Sequence, residues 1–205
     1  MEVFINSQKI DVTLENEKTV GDVLKAFESE FEANNATTTG ITVNGTEVVP
    51  DNFEECLETP ISDGTRIEIS MIMLSDVKSE FKREFFSCSA LAEKIKDISV
   101  NFQSGKDKEA NALIAEVASL IDEFCRTARL AAYFPDEFSN FIADGIETDD
   151  GNKTVGDFFQ DFMPILSDFE QAVESGDTVL IGDLAEYEIS PRLSAIAKTL
   201  NTLGN

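Results

Sequence analysis

The chain has 205 residues, 42% of them apolar, enough to pack the core of one large domain or two modest ones, which excludes global disorder. It has no histidine, so Ser-His-Asp and Cys-His catalysis are excluded within it. A formal net charge of −24 sets up a field that repels DNA, RNA and anionic lipid and attracts basic proteins. That charge is uneven: residues 1–74 hold 15 acidic and 4 basic side chains, residues 75–135 hold 10 and 9, and residues 136–190 hold 15 acids against Lys153 alone.

In chain order, Met1, Val3 and Ile5 alternate along a first strand, and Ile10, Val12 and Leu14 along a second, with a polar turn from Asn6 to Lys9. Thr19 reads as the N-cap of a helix whose apolar stripe is Val20, Val23, Leu24, Phe27 and Phe31, with Asp22 placed to complete a capping box. A loop from Asn34 to Gly40 precedes a second hairpin, Ile41 and Val43 before Asn44-Gly45, then Val48 and Val49. Phe53, Cys56 and Leu57 suggest a short helical turn, and Ile67, Ile69 and Met71 alternate in a last strand. This order, from the Met1–Leu14 hairpin through the Thr19–Phe31 helix and the Ile41–Val49 hairpin to the Arg66–Ile72 strand, resembles the ubiquitin-like β-grasp fold. The resemblance implies a docking module. A conjugated modifier ends in a free diglycine tail after its last strand, whereas here Met71-Ile72-Met73-Leu74 runs straight on, so conjugation is not expected.

Beyond Leu74 the period is helical. Val77, Phe81, Phe85, Cys88, Leu91, Ile95, Ile98 and Phe102 predict one helix of about seven turns, ended by Ser104-Gly105. A second runs from about Ala110 to Ala131 and stops at Phe134-Pro135, after which Asp136 is placed to cap a short helix holding Phe138 and Phe141. Asp144 to Lys153 reads as a polar loop. Thr154 caps a helix kinked at Pro164 and ended by Ser175-Gly176, and a last one runs from about Asp177 to Leu203 with a kink at Pro191. The predicted fold class is α+β, a β-grasp module over 1–74 followed by an antiparallel α-helical bundle over 75–205. Leu113–Val117 and Leu180–Leu184 are similar at a spacing of 67 residues, as two related helical hairpins or a chance likeness would be.

Within 174–193, Asp177, Val179, Leu180, Asp183, Leu184, Tyr187, Glu188 and Pro191 match a pattern similar to that of helical bacterial proteins encoded with motility genes, which implies a bacterial motility or secretion setting. The odd, widely spaced Cys56, Cys88 and Cys125 read as reduced thiols. With no apolar run of spanning length and no signal-peptide pattern at Met1, a cytoplasmic protein is expected. No catalytic residue, metal site or cofactor is expected. The acids Asp144, Glu147, Asp149 and Asp150 beside Gly151 lack the EF-hand spacing and read as a flexible acidic loop.

Two partner-binding candidates remain. Asp183, Glu186 and Glu188 surround Tyr187, either as a patch for a basic partner anchored by the aromatic ring or as solvated acids around a buried tyrosine. Phe86 and Phe159 fall beside their stripes, as a wide core face, an apolar groove or a homodimer seam would require. The leading functional expectation is a non-catalytic adaptor or chaperone-like protein that binds a basic or amphipathic helix. The alternatives are a carboxylate- or metal-dependent enzyme and a structural homodimer.

Overall fold

Two short hairpins and one long strand make a five-stranded mixed sheet near the N-terminus. β1 (Glu2–Ile5) pairs antiparallel with β2 (Gln8–Ile10) and parallel with β5 (Arg66–Met73), while β3 (Ala36–Val43) joins β5 to β4 (Thr46–Glu47), giving the order β2-β1-β5-β3-β4. The computed structural model describes residues 1–205, and the chain is α+β, with this sheet followed by a helical C-terminal region. It divides into two units, Met1–Asp76 and Val77–Asn205.

In the first unit, α1 (Val20–Ala33) lays Val20, Val23, Leu24 and Phe31 against Val3, Val43, Ile67 and Ile69. Each such side chain, fully buried, contributes about 1.5–3 kcal/mol. Thr19 Oγ1 accepts from the Asp22 amide at 3.2 Å, and the Asp22 carboxylate accepts from the Thr19 amide at 3.0 Å, completing the expected capping box. Asn44 and Gly45 both take positive φ, 51° and 82°, as a two-residue hairpin turn requires. Asn6 and Ser7 do the same at 48° and 68°, so the first turn is two residues long and β2 ends at Ile10. The expected 34–40 loop shrinks to Asn34 and Asn35, because the β-branched run Thr37–Thr39 extends β3 back to Ala36. α2 (Phe53–Glu58) is the expected short helical turn.

In the second unit, the long helix expected up to Phe102 is interrupted. α3 (Leu74–Lys94) gives way to a 3₁₀ turn at Ile95–Asp97 before α4 (Ile98–Gln103). A 3₁₀ turn aligns residues three apart, and Ile95 and Ile98, both fully buried, thereby face the same core. α5 (Asp107–Ala131) is continuous, and α6 (Ser139–Asp144) follows. Asp136 does not cap α6. Phe138 occupies that position, its ring packed edge-on at 5.5 Å against Phe81, so aromatic packing decides where the helix starts. α7 (Val155–Ser175) starts on Thr154, whose hydroxyl accepts from the Asp157 amide, and runs through Pro164 to Gly176 in the left-handed region. Phe124, Phe141, Phe158, Phe159 and Phe162 join Phe81 in edge-to-face and tilted pairs, each adding about 0.5–1.5 kcal/mol beyond burial.

One polar group stands out in this interior. Glu84 of α3 is 1% exposed, takes one hydrogen bond from the Thr127 hydroxyl of α5, and leaves its other carboxylate oxygen unpartnered. Burial, reinforced by the nearby Glu123 and Glu80, raises its pKa despite the Thr127 bond and Arg83. A carboxyl whose folded pKa lies above its unfolded value binds more protons in the native state. Glu84 therefore adds no pH-dependent cost below the ordinary glutamate range and lowers stability as pH rises through the interval up to its folded value. Glu84→Gln is expected to flatten that decline and to raise stability at alkaline pH by about 1–3 kcal/mol, read as the urea midpoint at mildly acid and mildly alkaline pH. A decline of the same slope in the variant would assign it to other groups.

Candidate functional site

The sequence predicts a single helix from Asp177 to Leu203. Instead α8 (Thr178–Leu184) ends in a π turn at Ala185–Ile189, after which α9 (Ser190–Leu203) begins with Pro191 in its first turn. Proline has no amide hydrogen, and its ring collides with the carbonyl four residues back, here that of Tyr187. The wide turn shifts the bonding register ahead of the proline, and the Ser190 amide donates to the Ala185 carbonyl, five residues back. Ala185 and Ile189 turn inward, both 0% exposed, and Tyr187 turns out at 66% exposed. The buried-tyrosine alternative is therefore incorrect.

The sequence-predicted residues do not form one site. Asp183 and Glu186 are exposed beside Tyr187, and Val179 and Leu180 of α8 are exposed with them, at 68% and 42%. Glu188 is half-buried and neutralised, because Arg192 Nη1 donates to its carboxylate at 2.7 Å and to its carbonyl at 2.9 Å. Phe159 is half-buried within the aromatic cluster, against Phe124 and Phe158, whereas Phe86 is 60% exposed with its ring 5.0 Å from that of Phe85.

The 144–153 segment is a hairpin, not a loop. β6 (Ile146–Thr148) pairs with β7 (Gly151–Lys153) around an Asp149-Asp150 turn, with Ile146 fully buried. Gly145, at φ 72°, makes the approach possible, since a Cβ there would lie 2.0 Å from the Lys153 carbonyl oxygen. Between this hairpin, α7 and α9 lies a cleft of about 540 Å³ that sequence reasoning did not find. Three ion pairs wall it: Lys153–Asp161 at 2.7 Å, Arg192–Glu188 at 2.7 Å and Lys198–Glu147 at 2.8 Å. Its three cations are all the basic residues of 136–205, a coincidence that the sequence contains but does not locate. Lys153, with help from Arg192, holds the Asp161 carboxyl below the usual range. Nowhere do three carboxylates or thiols converge as metal ligands. The first unit has its own cleft of about 660 Å³, floored by Ile5, Val23, Phe27 and Phe31 and edged by Asp11, Glu17 and Glu30 with no base.

A family described as a domain of unknown function (DUF8042) matches residues 87–199, more than half of the chain and every residue that lines the 540 Å³ cleft. The chain belongs to that family. Its first 73 residues match the TP0873 N-terminal domain, ending on the last residue of β5. A Treponema pallidum (strain Nichols) protein described as an uncharacterized protein is 25% identical over 197 residues, 93% of this chain and 92% of that one. No solved structure matches. No helix is long and apolar enough to cross a membrane.

Gly145→Ala is expected to lower the stability of the helical unit by about 2–3 kcal/mol, through left-handed strain and the clash with the Lys153 carbonyl. Chemical denaturation of the full chain reads this. A change within a few tenths would show that the hairpin yields without cost.

Proposed function

We propose that the chain is a non-catalytic protein-binding adaptor, with an N-terminal β-grasp docking module and an acidic antiparallel helical bundle that takes a basic amphipathic helix. The observation that carries this reading is the exposed stripe along α8 and the π turn, where Val179, Leu180 and Tyr187 alternate with Asp183 and Glu186. It lies in a stretch with fifteen acids and one base, so the complementary partner presents apolar residues on one face and cations beside them. An exposed ion pair contributes only about 0.2–1 kcal/mol, less than a well-buried aliphatic anchor, so the apolar residues set affinity while the acids set approach rate and salt dependence.

The β-grasp assignment is supported by the parallel β1–β5 centre flanked by hairpins, with α1 across one face. Its acid-edged cleft supports a docking role for this unit. Binding is favoured over acid–base chemistry because Asp161 in the cleft is shifted down, where a general acid needs to be shifted up, and the raised Glu84 is sealed between helices. The three free thiols, with Cys88 pushed up to about 12 by burial, fit a cytoplasmic setting. A secreted or flagellar client is the concrete form of the proposal and rests on the resemblance of residues 174–193.

A fluorescein-labelled amphipathic Leu/Lys helix is the probe, read by anisotropy against the full chain. Affinity is expected to fall about tenfold between about 50 mM and about 500 mM salt, and severalfold in the Val179→Ser/Leu180→Ser variant. No binding, equal affinity at both salt levels, or equal binding of a Leu/Glu helix would each overturn the proposal.

A further inference from the structure

We infer that the cleft between the β6–β7 hairpin and α9 receives an arginine side chain of the docked partner; this rests on the docking reading above and names the chemistry at its anchor point. The cleft carries five acids and three bases, a formal −2. Each base is paired with a wall carboxylate at 2.7–2.8 Å, so a free anion meets a net negative field and no unpaired cation. The uncommitted charges are Asp149 and Asp150, both exposed at the hairpin turn and paired with nothing. Tyr187 also lines the cleft, 66% exposed and continuous with the Val179–Leu180 stripe, so a helix seated on that stripe passes the cleft mouth.

A guanidinium fits this combination better than an ammonium. Its plane stacks on the Tyr187 ring while its fork of N–H groups meets carboxylates, and its weaker hydration lowers the cost of entering a cleft. Lys153–Asp161 links β7 to α7 and Lys198–Glu147 links α9 to β6, so those carboxylates are already engaged and an incoming guanidinium meets Asp149 and Asp150.

The test uses the full chain, ¹⁵N-labelled, with three helices of one length: Leu/Arg, Leu/Lys and Leu/citrulline, the last a neutral mimic of arginine. Expected are amide shifts at Asp149, Asp150 and Tyr187 with the Leu/Arg helix and several-fold weaker binding of the Leu/Lys helix. The loss of Leu/Arg affinity in Asp149→Asn/Asp150→Asn is expected to be about tenfold, with little change for the citrulline helix. If the Leu/Arg helix binds and shifts Val179 and Leu180 while the double variant binds it equally well, the cleft assignment is overturned and the docking reading stands. Equal binding of the arginine and lysine helices overturns the guanidinium assignment, and no binding of any helix overturns both.

Discussion

The missing amide hydrogen of Pro191 shapes everything around the candidate site. A regular α-helix from Asp177 onward would drive the proline ring into the Tyr187 carbonyl, and the chain avoids this by widening one turn at Ala185–Ile189. The widened turn keeps Ala185, Ile189 and Ser190 inside and sends Tyr187 outward. It leaves Arg192 one turn from Glu188, where the guanidinium bonds both the carboxylate and the carbonyl of that residue. π turns occur often at functional sites, since they reposition a side chain without ending the helix.

A second constraint is charge. Residues 136–190 concentrate fifteen acids, and unrelieved repulsion of that size works against a packed unit. The few available cations are placed where they join elements: Lys153 to α7, Lys198 to β6, Lys78 to Glu137 at 2.5 Å. Exposed pairs of this kind contribute little stability individually, so the phenylalanine cluster and the buried aliphatic residues of α8 and α9 carry the packing energy. The ion pairs link the hairpin to the two helices along the walls of the cleft.

Much of this architecture was legible in the sequence, wherever short-range chemistry decides. The Thr19–Asp22 capping box, the Asn44-Gly45 turn, the Thr154 cap and the Gly176 stop are local, and each stands where its residues predict. The sequence reading failed where distant packing or a subtle backbone register decides. The β6–β7 hairpin has one buried anchor, Ile146, among polar residues, and alternation cannot be read from a single apolar position. The 3₁₀ turn at Ile95–Asp97 keeps the helical period almost intact, and Pro191 signals a kink but not its form. The helix, Ser-Gly turn, helix order stands at both Gly105 and Gly176, while the helices that follow differ: Leu113–Val117 lies inside a long continuous one and Leu180–Leu184 inside one that ends at once. Of the candidate site, Asp183 and Glu186 were legible as surface acids, whereas the exposure of Tyr187 was left open, because it depends on the π turn. The cleft was not, because Glu147, Asp161, Arg192 and Lys198 meet only through the tertiary fold.

If the widened turn presents Tyr187 as the anchor of a docking surface, the chain itself carries a direct reporter of that contact. It has no tryptophan and only two tyrosines, so in Tyr133→Phe the ultraviolet emission comes from Tyr187 alone. Titrating this variant with an unlabelled Leu/Arg helix, itself free of aromatic residues, is predicted to change the Tyr187 emission saturably, with protection from acrylamide quenching at the same midpoint. Binding of the helix seen by calorimetry, with emission and quenching of Tyr187 unchanged, would show that Tyr187 is not the anchor.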